Sequence, residues 1–185
     1  SQHLLRELTL QDELDKQQIA TLRWRISAWK NALTPPAQAL HQAADELEAW
    51  QARQYAAYSK ALITYNAVDF DDLILLPSQL LSEQPERREY WQGRIRHLLV
   101  DEYQDTNGAQ YALIRLLVGV RGALTVVGDD DQSIYAWRGA RPENLIRLQE
   151  DYPQLKVIKL EQNYRSSGHI LAAASSLIAK NENRL

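Results

Sequence analysis

The sequence has no cysteine, no methionine, one phenylalanine and only seven glycines among its 185 residues. Without cysteine the chain can form no disulfide and offers no thiolate to a metal ion, which is typical of a reducing compartment, and we expect a cytoplasmic protein. No apolar run approaches the roughly 18 residues that a membrane-spanning helix requires, so we expect no membrane partner. The four histidines are scattered and lack partners at ligand spacing, which predicts no zinc site.

An excess of positive charge is also lacking. Lysine and arginine number 21 against 24 aspartate and glutamate residues, giving a net charge of −3 and a pI near 5.8. This balance argues against capture of nucleic acid by bulk electrostatics, so any DNA binding must depend on locally placed groups and on stacking. The apolar content of 45% with 24% charged residues is ordinary for a globular protein, and the length of 185 residues suits one domain, or one and a half.

The first third of the chain has the periodicity of amphipathic helices. Apolar residues from Leu14 to Leu33 recur at steps of mostly three and four, which places them on one helical face. Pro35 and Pro36 end this pattern, and a second amphipathic helix is predicted from Leu40 to Tyr65. The two helices predict an αα-hairpin. The aromatic residues of the second helix fit either a core or a base-stacking surface, and their helical spacing favours the core.

From residue 68 onward the pattern changes. A compact apolar helix over 69–81, with Pro77 as a kink, is followed by a short charged helix that Pro85 opens. The remaining predicted elements are strands over 98–100, 124–127 and 157–160 and helices over 110–118, 142–150 and 168–180. Such βαβ repetition implies an α/β fold with a parallel sheet and right-handed crossovers.

Polar residues follow each predicted strand. The first strand ends at Asp101 and Glu102, the second at a run over 128–139, and the third just before 162–167. The carboxyl ends of parallel strands form the edge where α/β proteins place their ligands. Two adjacent carboxylates at such an edge can hold Mg²⁺ against phosphates and position a water molecule. For the two carboxylates alone, a strand ending in a solvated acidic turn is the alternative.

Four strings in these segments stand out: DFDDL at 69–73, DEYQD at 101–105, GDDDQSIYAWRGA at 128–140 and QNYRSS at 162–167. They resemble motifs Ic, II, III and IV of the superfamily 1A DNA helicases, the Rep/UvrD/PcrA group. The resemblance covers essentially the whole chain and is nearest to the Rep branch. It implies an enzyme that uses ATP and Mg²⁺ to translocate 3′ to 5′ along single-stranded DNA and to unwind duplex DNA.

The resemblance implies an ATP site made of five residues. Asp101 and Glu102 would serve the metal, and Glu102 would also orient or deprotonate the attacking water. Gln132 would sense the γ-phosphate. Tyr164 would stack on the adenine, while Arg165 would reach the γ-phosphate with the fixed charge and forked donors of a guanidinium. The alternatives are a loop amide bonded to backbone for Gln132 and a brace at the start of a helix for the Tyr164–Arg165 pair.

By the same resemblance, Tyr135, Trp137 and Arg138 contact single-stranded DNA, and so does Phe70. Stacking of a base on an aromatic ring contributes about 1–3 kcal/mol whatever the base, which suits a protein that grips DNA without reading it. Trp137 could instead belong to the core, and a lone phenylalanine at the start of an apolar helix also commonly packs inward.

A phosphate-binding P-loop is missing, because none of the seven glycines precedes a lysine. Together with the absence of methionine, this leads us to expect a fragment of a longer helicase that is inactive by itself. The resemblance divides the chain into a helical 1B-like αα-hairpin (1–67), the C-terminal part of a RecA-like, P-loop NTPase type domain 1A (68–160), and motif IV with the start of domain 2A (161–185). This is a partial RecA-like domain with an inserted helical subdomain.

Two other functions stay open on the sequence. The chain could be a non-catalytic DNA-binding or scaffold module, or part of a helicase-nuclease subunit of the same superfamily. The expected partners are single-stranded DNA, duplex junctions and unspecified proteins of replication or repair.

Overall fold

The computed structural model describes residues 2–9, 14–119, 122–136, 139–141 and 143–180. Within them the chain is mostly helical, with one small parallel sheet. The helices are α1 (Gln2–Leu8), α2 (Lys16–Asn31), α3 (Pro36–His41), α4 (Glu46–Thr64), α5 (Asp72–Glu83), α6 (Pro85–Arg94), α7 (Gly108–Val118), α8 (Glu143–Asp151) and α9 (Gly168–Ile178). The strands are β1 (Leu98–Val100) and β2 (Leu124–Val126), and two 3₁₀ turns cover Tyr103–Asp105 and Asp130–Gln132. No helix among the described residues is both long and apolar enough to cross a membrane.

The chain divides into two compact units. The first comprises Ser1–Leu98 and Asn107–Ala123, and the second comprises Leu99–Thr106 and Leu124–Leu185. The two units are defined by which residues pack together, and they do not test the domain boundaries after residues 67 and 160, which stay a prediction.

The core of the first unit lies between α1, α2, α3 and α4. The predicted helix between Leu14 and Leu33 is confirmed as α2, which begins where the Asp15 carboxylate accepts hydrogen bonds from two backbone N–H groups in a capping box. The buried residues of this core are Leu5, Ile19, Leu22, Ile26, Ala39, Ala52, Tyr55, Tyr58 and Leu62. Tyr55 stacks on Trp29 with ring centroids 5.8 Å apart. The prediction that the aromatics between Leu40 and Tyr65 are core is confirmed for Tyr55 and Tyr58 and is wrong for Tyr65, which is 65% exposed.

The single helix predicted from Leu40 to Tyr65 is wrong, because the structure has two helices there. Pro36 starts α3 at its first turn, where the missing N–H of proline costs nothing. The chain then breaks, and Asp45 caps α4 by accepting from the Glu48 backbone N–H at 2.8 Å. The apolar periodicity of the sequence continues across residues 42–45, but the Asp45 carboxylate starts a new helix there.

The next three helices complete the first unit. The predictions of a helix containing Pro77 and of one opened by Pro85 are confirmed as α5 and α6. The predicted helix from 110 is α7, which begins two residues earlier because Asn107 forms a capping box with Gln110. α5 packs against both α6 and α7.

The sheet contains β1 and β2, and the pairing continues past their ends. The Val127 N–H donates to the Val100 carbonyl at 2.8 Å, and the Tyr103 N–H donates to the Val127 carbonyl at 2.9 Å. The predicted third strand over 157–160 is wrong, since the described residues there form no strand and their apolar side chains are exposed. An apolar run becomes a strand only where a neighbouring strand pairs with its backbone groups. The α/β class is therefore found in reduced form, as a mostly helical chain with a two-stranded parallel sheet.

Candidate active site

Asp101 and Glu102 follow β1 directly, and both carboxylates are exposed. The Glu102 N–H donates to Asp101 Oδ1 at 3.0 Å. Glu102 has a φ of +49°, a left-handed conformation that costs a residue with a Cβ about 1–2 kcal/mol. Backbone strain of this kind is concentrated at functional positions, because the surrounding structure must hold it in place.

Gln104 holds Glu102 in this position. Its side chain is only 1% exposed, its Nε2 donates to Glu102 Oε2 at 2.7 Å, and its Oε1 accepts from the Asp129 N–H at 3.0 Å. A neutral amide is suited to this role because it offers a donor and an acceptor at once. Gln104 thus joins the segment after β1 to the segment after β2.

Gly128 makes room for that bridge. A Cβ at Gly128 would lie 2.8 Å from Gln104 Oε1 and 3.5 Å from both the Gln104 backbone N and Tyr103 Cβ. Any larger residue would push the Gln104 amide out of its present position. The sequence alone does not show that Gln104 lies against Gly128, so the need for a glycine at this position could not be predicted.

Asp129 connects Gln104 to Gln132 by hydrogen bonds. Asp129 Oδ2 accepts from Gln132 Nε2 at 2.6 Å, and Asp129 Oδ1 accepts from the Asp131 N–H at 3.1 Å, which caps the 3₁₀ turn. A continuous relay of hydrogen bonds therefore runs from Glu102 through Gln104 and Asp129 to Gln132. The structure brings these predicted residues together at one edge of the sheet, and sequence reasoning missed Asp129 as the link.

The donor set at this edge fits Mg²⁺ chemically. Mg²⁺ prefers oxygen ligands and is commonly bound by one or two carboxylates together with phosphate and water. The hydrogen bonds given above engage only one oxygen each of Asp101 and Glu102. Among the described residues no group of three or more potential metal ligands occurs, so a metal here would need phosphate and water to complete its coordination.

Tyr164 and Arg165 lie in the same unit, on a tight turn before α9. Asn163 Oδ1 accepts from the N–H groups of Arg165 and Ser166, each at 2.9 Å, which shapes the turn. Tyr164 is 93% exposed, and Arg165 is also exposed. Within the described part of the chain no hydrogen bond or ion pair joins them to the Glu102–Gln132 relay. Tyr164 and Arg165 are accessible to a ligand, but among the described residues they make no hydrogen bond or ion pair with the carboxylates of Asp101 and Glu102.

The predicted DNA-contacting residues are in three different situations. Phe70 is 89% exposed, so the alternative that it packs inward is wrong. Tyr135 is exposed to a smaller extent, at 37%. Trp137 and Arg138 lie outside the described residues.

A buried ionic cluster beside Phe70 was not predicted. Lys30 Nζ donates to Asp69 Oδ2 at 2.8 Å and to Asp72 Oδ1 at 2.7 Å, and Tyr58 OH donates to Asp69 Oδ2 at 2.9 Å. The lysine also lies over the Tyr58 ring, 5.2 Å from its centroid. The sequence held a signal for this cluster, since Lys30 follows Ile26 by four positions and so continues the buried face of α2.

The cluster shifts the titration of its members. Burial alone would raise the pKa of the Asp69 carboxyl, but hydrogen bonds from Lys30, the Asp72 N–H and Tyr58, with the charge of Lys30, lower it below its ordinary value of 3.8. Burial, and then the charges of Asp72, Asp69 and Asp71, raise the pKa of the Tyr55 hydroxyl above its ordinary value of 10. Asp69 is therefore held ionised and Tyr55 neutral at physiological pH.

The sequence profile described as the UvrD/REP helicase N-terminal domain matches residues 1–153. The chain is 58% identical over 181 residues to the ATP-dependent DNA helicase Rep of Escherichia coli (strain K12), covering 96% of this chain and 27% of that protein. It is 50% identical over 165 residues to the same-named protein of Buchnera aphidicola subsp. Acyrthosiphon pisum, covering 89% and 26% of the two chains. It is 47% identical over 159 residues to the ATP-dependent DNA helicase PcrA of Staphylococcus epidermidis (strain ATCC 12228 / FDA PCI 1200), covering 86% and 22%. The chain spans about a quarter of the length of these relatives.

Proposed function

Because this chain belongs to the UvrD/REP helicase family, we propose that it is part of an ATP-dependent DNA helicase, which translocates 3′ to 5′ on single-stranded DNA and unwinds duplex DNA. The observation that carries the proposal is the relay from Glu102 through Gln104 and Asp129 to Gln132. It ties a carboxylate after one strand to an amide after the next, as a site that couples a metal–phosphate group to a water molecule requires.

The chain's residues then take the following roles. Asp101 and Glu102 would hold Mg²⁺, which when bound would neutralise phosphate charge and polarise the phosphoryl group. Glu102 accepts a proton from the attacking water or orients it, and its strained backbone is fixed by Gln104. Gln132 places its amide, already anchored on Asp129, toward the water and the γ-phosphate.

The remaining site residues complete the proposal. Tyr164, with its ring open to solvent, stacks on the adenine of ATP, and Arg165 bonds the γ-phosphate. Phe70, Tyr135, Trp137 and Arg138 contact single-stranded DNA. Through these contacts, ATP hydrolysis at the relay would drive movement along a DNA strand that is held by stacking.

We place this chain in a RecA-like, P-loop NTPase type domain 1A that carries a helical 1B-like insertion and leads into domain 2A. The domain boundaries after residues 67 and 160 belong to this proposal, as do a cytoplasmic location and a role in replication or repair. Membership of a helicase-nuclease subunit is the rival enzyme, and a carboxylate-rich nuclease domain elsewhere in the whole protein would distinguish it.

The decisive experiment is Glu102→Gln in the whole protein that carries this chain. The amide keeps the shape and the bond to Gln104 but cannot accept a proton, so we expect ATP binding to persist while DNA-stimulated turnover falls by about 10²–10⁴-fold, the usual contribution of a general base. Glu150→Gln, an exposed carboxylate on α8, is the matched control and should be unaffected. A Glu102→Gln protein that hydrolyses ATP near the wild-type rate would show that Glu102 has another role.

A second candidate is supported for the 185-residue chain alone. None of its glycines precedes a lysine, so the chain has no P-loop to cradle the phosphates. By itself it would act as a non-catalytic DNA-binding or scaffold module.

A further inference from the structure

A small cleft in the first unit opens beside Phe70. It has a volume of about 280 Å³, at the small end of the roughly 300–1,000 Å³ typical of ligand clefts. Its lining includes Trp24 and Arg23 of α2 together with Phe70, Asp69 and Asp71 of the segment before α5. Two of these residues are large exposed aromatics, since Phe70 is 89% and Trp24 is 59% exposed. Exposed aromatics that share one cleft mark a binding surface more often than single exposed rings do.

The charges of the cleft distinguish its floor from its rim. Both oxygens of Asp69 are occupied, Oδ1 by the Asp72 N–H and Oδ2 by Lys30 and Tyr58. The buried ammonium of Lys30 also donates to Asp72, so its single charge is shared by two carboxylates and offsets the charge of Asp69 only in part. At the rim Arg23 is exposed and, among the described residues, forms no ion pair.

Asp71 provides a hydrogen-bond acceptor in the same cleft. Its Oδ1 accepts from Asn31 Nδ2 at 3.2 Å, while its Oδ2 has no hydrogen bond within the described part of the chain. A free carboxylate oxygen repels a phosphate but accepts from the ring N–H or amino group that every nucleobase carries. Two aromatic walls with such an acceptor suit a flat base, and the cation at the rim suits the phosphate next to it.

We infer that this cleft is an additional single-stranded DNA subsite, in which Trp24 stacks on one base, Asp71 accepts from that base and Arg23 binds the adjacent phosphate. The inference rests on the proposed function, because the DNA strand that Phe70 contacts would continue into this subsite. The residues newly assigned to DNA binding are Trp24, Arg23 and Asp71. Trp24 and Arg23 lie outside the four motif strings, and Asp71 lies within the string at 69–73, where the resemblance assigned DNA contact to Phe70 alone. Its occupant is a base of any identity, since stacking depends little on which base is bound.

The test measures binding of a fluorescein-labelled oligothymidine by anisotropy, without ATP, in the whole protein that carries this chain. Trp24→Ala should weaken binding about 5- to 150-fold, the range for loss of one base–aromatic stack, and Trp24→Phe should recover most of it. Trp91→Ala is the matched control, since Trp91 on α6 is 46% exposed and lies outside the cleft. It should bind like wild type.

A second probe separates the base from the phosphate. An abasic oligonucleotide of the same length keeps the phosphates and lacks the bases, so Trp24→Ala should not weaken its binding. Arg23→Gln should weaken both probes and reduce the slope of log affinity against log salt by about 0.7–1. Trp24→Ala should leave that slope unchanged.

Each outcome decides a separate point. Equal affinity of Trp24→Ala and Trp91→Ala for oligothymidine, with Phe70→Ala weakened, would overturn the subsite and leave the proposed function standing. Absence of oligonucleotide binding by the wild-type protein would overturn both. Binding of a decalysine peptide that is lost in Trp24→Ala, with DNA binding unchanged, would overturn the subsite by showing that the cleft takes a cationic peptide. Loss of turnover in Glu102→Gln, read by ATP hydrolysis, is independent of all three.

Discussion

Replacing Lys30 by methionine should destabilise the first unit severely. The Lys30 side chain is 2% exposed, and its two partners Asp69 and Asp72 are 12% and 9% exposed, so solvent screens their interaction little. Lys30→Met keeps most of the volume of the side chain but leaves two buried carboxylates without a cation. Removal of one partner from a buried ion pair costs about 3–5 kcal/mol, chiefly because an unpaired charge stays buried. We expect a loss of that size at pH 7.

The assay is urea denaturation followed by far-UV circular dichroism, which reports the helices that make up most of the chain. The midpoint should fall with little change in slope, since the surface exposed on unfolding is the same. Lys60→Met is the matched control, because Lys60 is an exposed residue of α4, and a surface change of this kind costs less than about 0.5 kcal/mol. A triple variant with Asp69→Asn and Asp72→Asn added should regain much of the loss, because no unpaired charge remains.

The pH dependence provides an independent check. The pKa of Asp69 is lowered in the folded chain, so its ionised form adds stability above its ordinary pKa of 3.8, and this stability is lost as the pH falls through the lowered value. In Lys30→Met no ammonium compensates for the burial of Asp69, so its pKa should be raised. Acid then stabilises the variant by protonating an unpaired carboxylate, whereas it destabilises the wild type by protonating a paired one. The difference between the two proteins should therefore narrow as the pH falls toward and below 3.8, the ordinary pKa of the carboxyl group. A difference under about 1 kcal/mol at pH 7, or one that widens in acid, would refute the reasoning.

Three further predictions concern the candidate site. The 185-residue chain alone should hydrolyse ATP no faster than background, and DNA-stimulated turnover in a steady-state assay would contradict this. In the whole protein, Gly128→Ala should displace the Gln104 amide, whose Oε1 lies 2.8 Å from the added carbon, and lower kcat by about 10- to 100-fold. Gly93→Ala should leave kcat unchanged, because nothing lies within 4 Å of its added carbon. Trp137→Ala should weaken single-stranded DNA binding about 5- to 150-fold with an unchanged salt slope and basal ATPase, and a collapsed melting transition would instead place Trp137 in the core.

Local sequence was sufficient for elements whose signals are local. The helical face of α2 and the strand of apolar residues before Asp101 could be read directly, because periodicity and capping residues act over a few positions. The motif strings were equally local, and the family they indicated is the family to which the chain belongs. The break before α4 was missed because Asp45 caps a helix inside an unbroken apolar pattern.

What only the tertiary structure decided are the contacts between residues far apart in the chain. Gln104 and Asp129 are separated by 25 positions, and Lys30 and Asp69 by 39, and no local signal in the sequence indicates that these residues meet. The apolar run at 157–160 shows the reverse case, since it has the composition of a strand but no described neighbour to pair with. Sequence determined which side chains are available at the strand ends, whereas folding decided which of them share hydrogen bonds, because those bonds depend on distances that only packing sets.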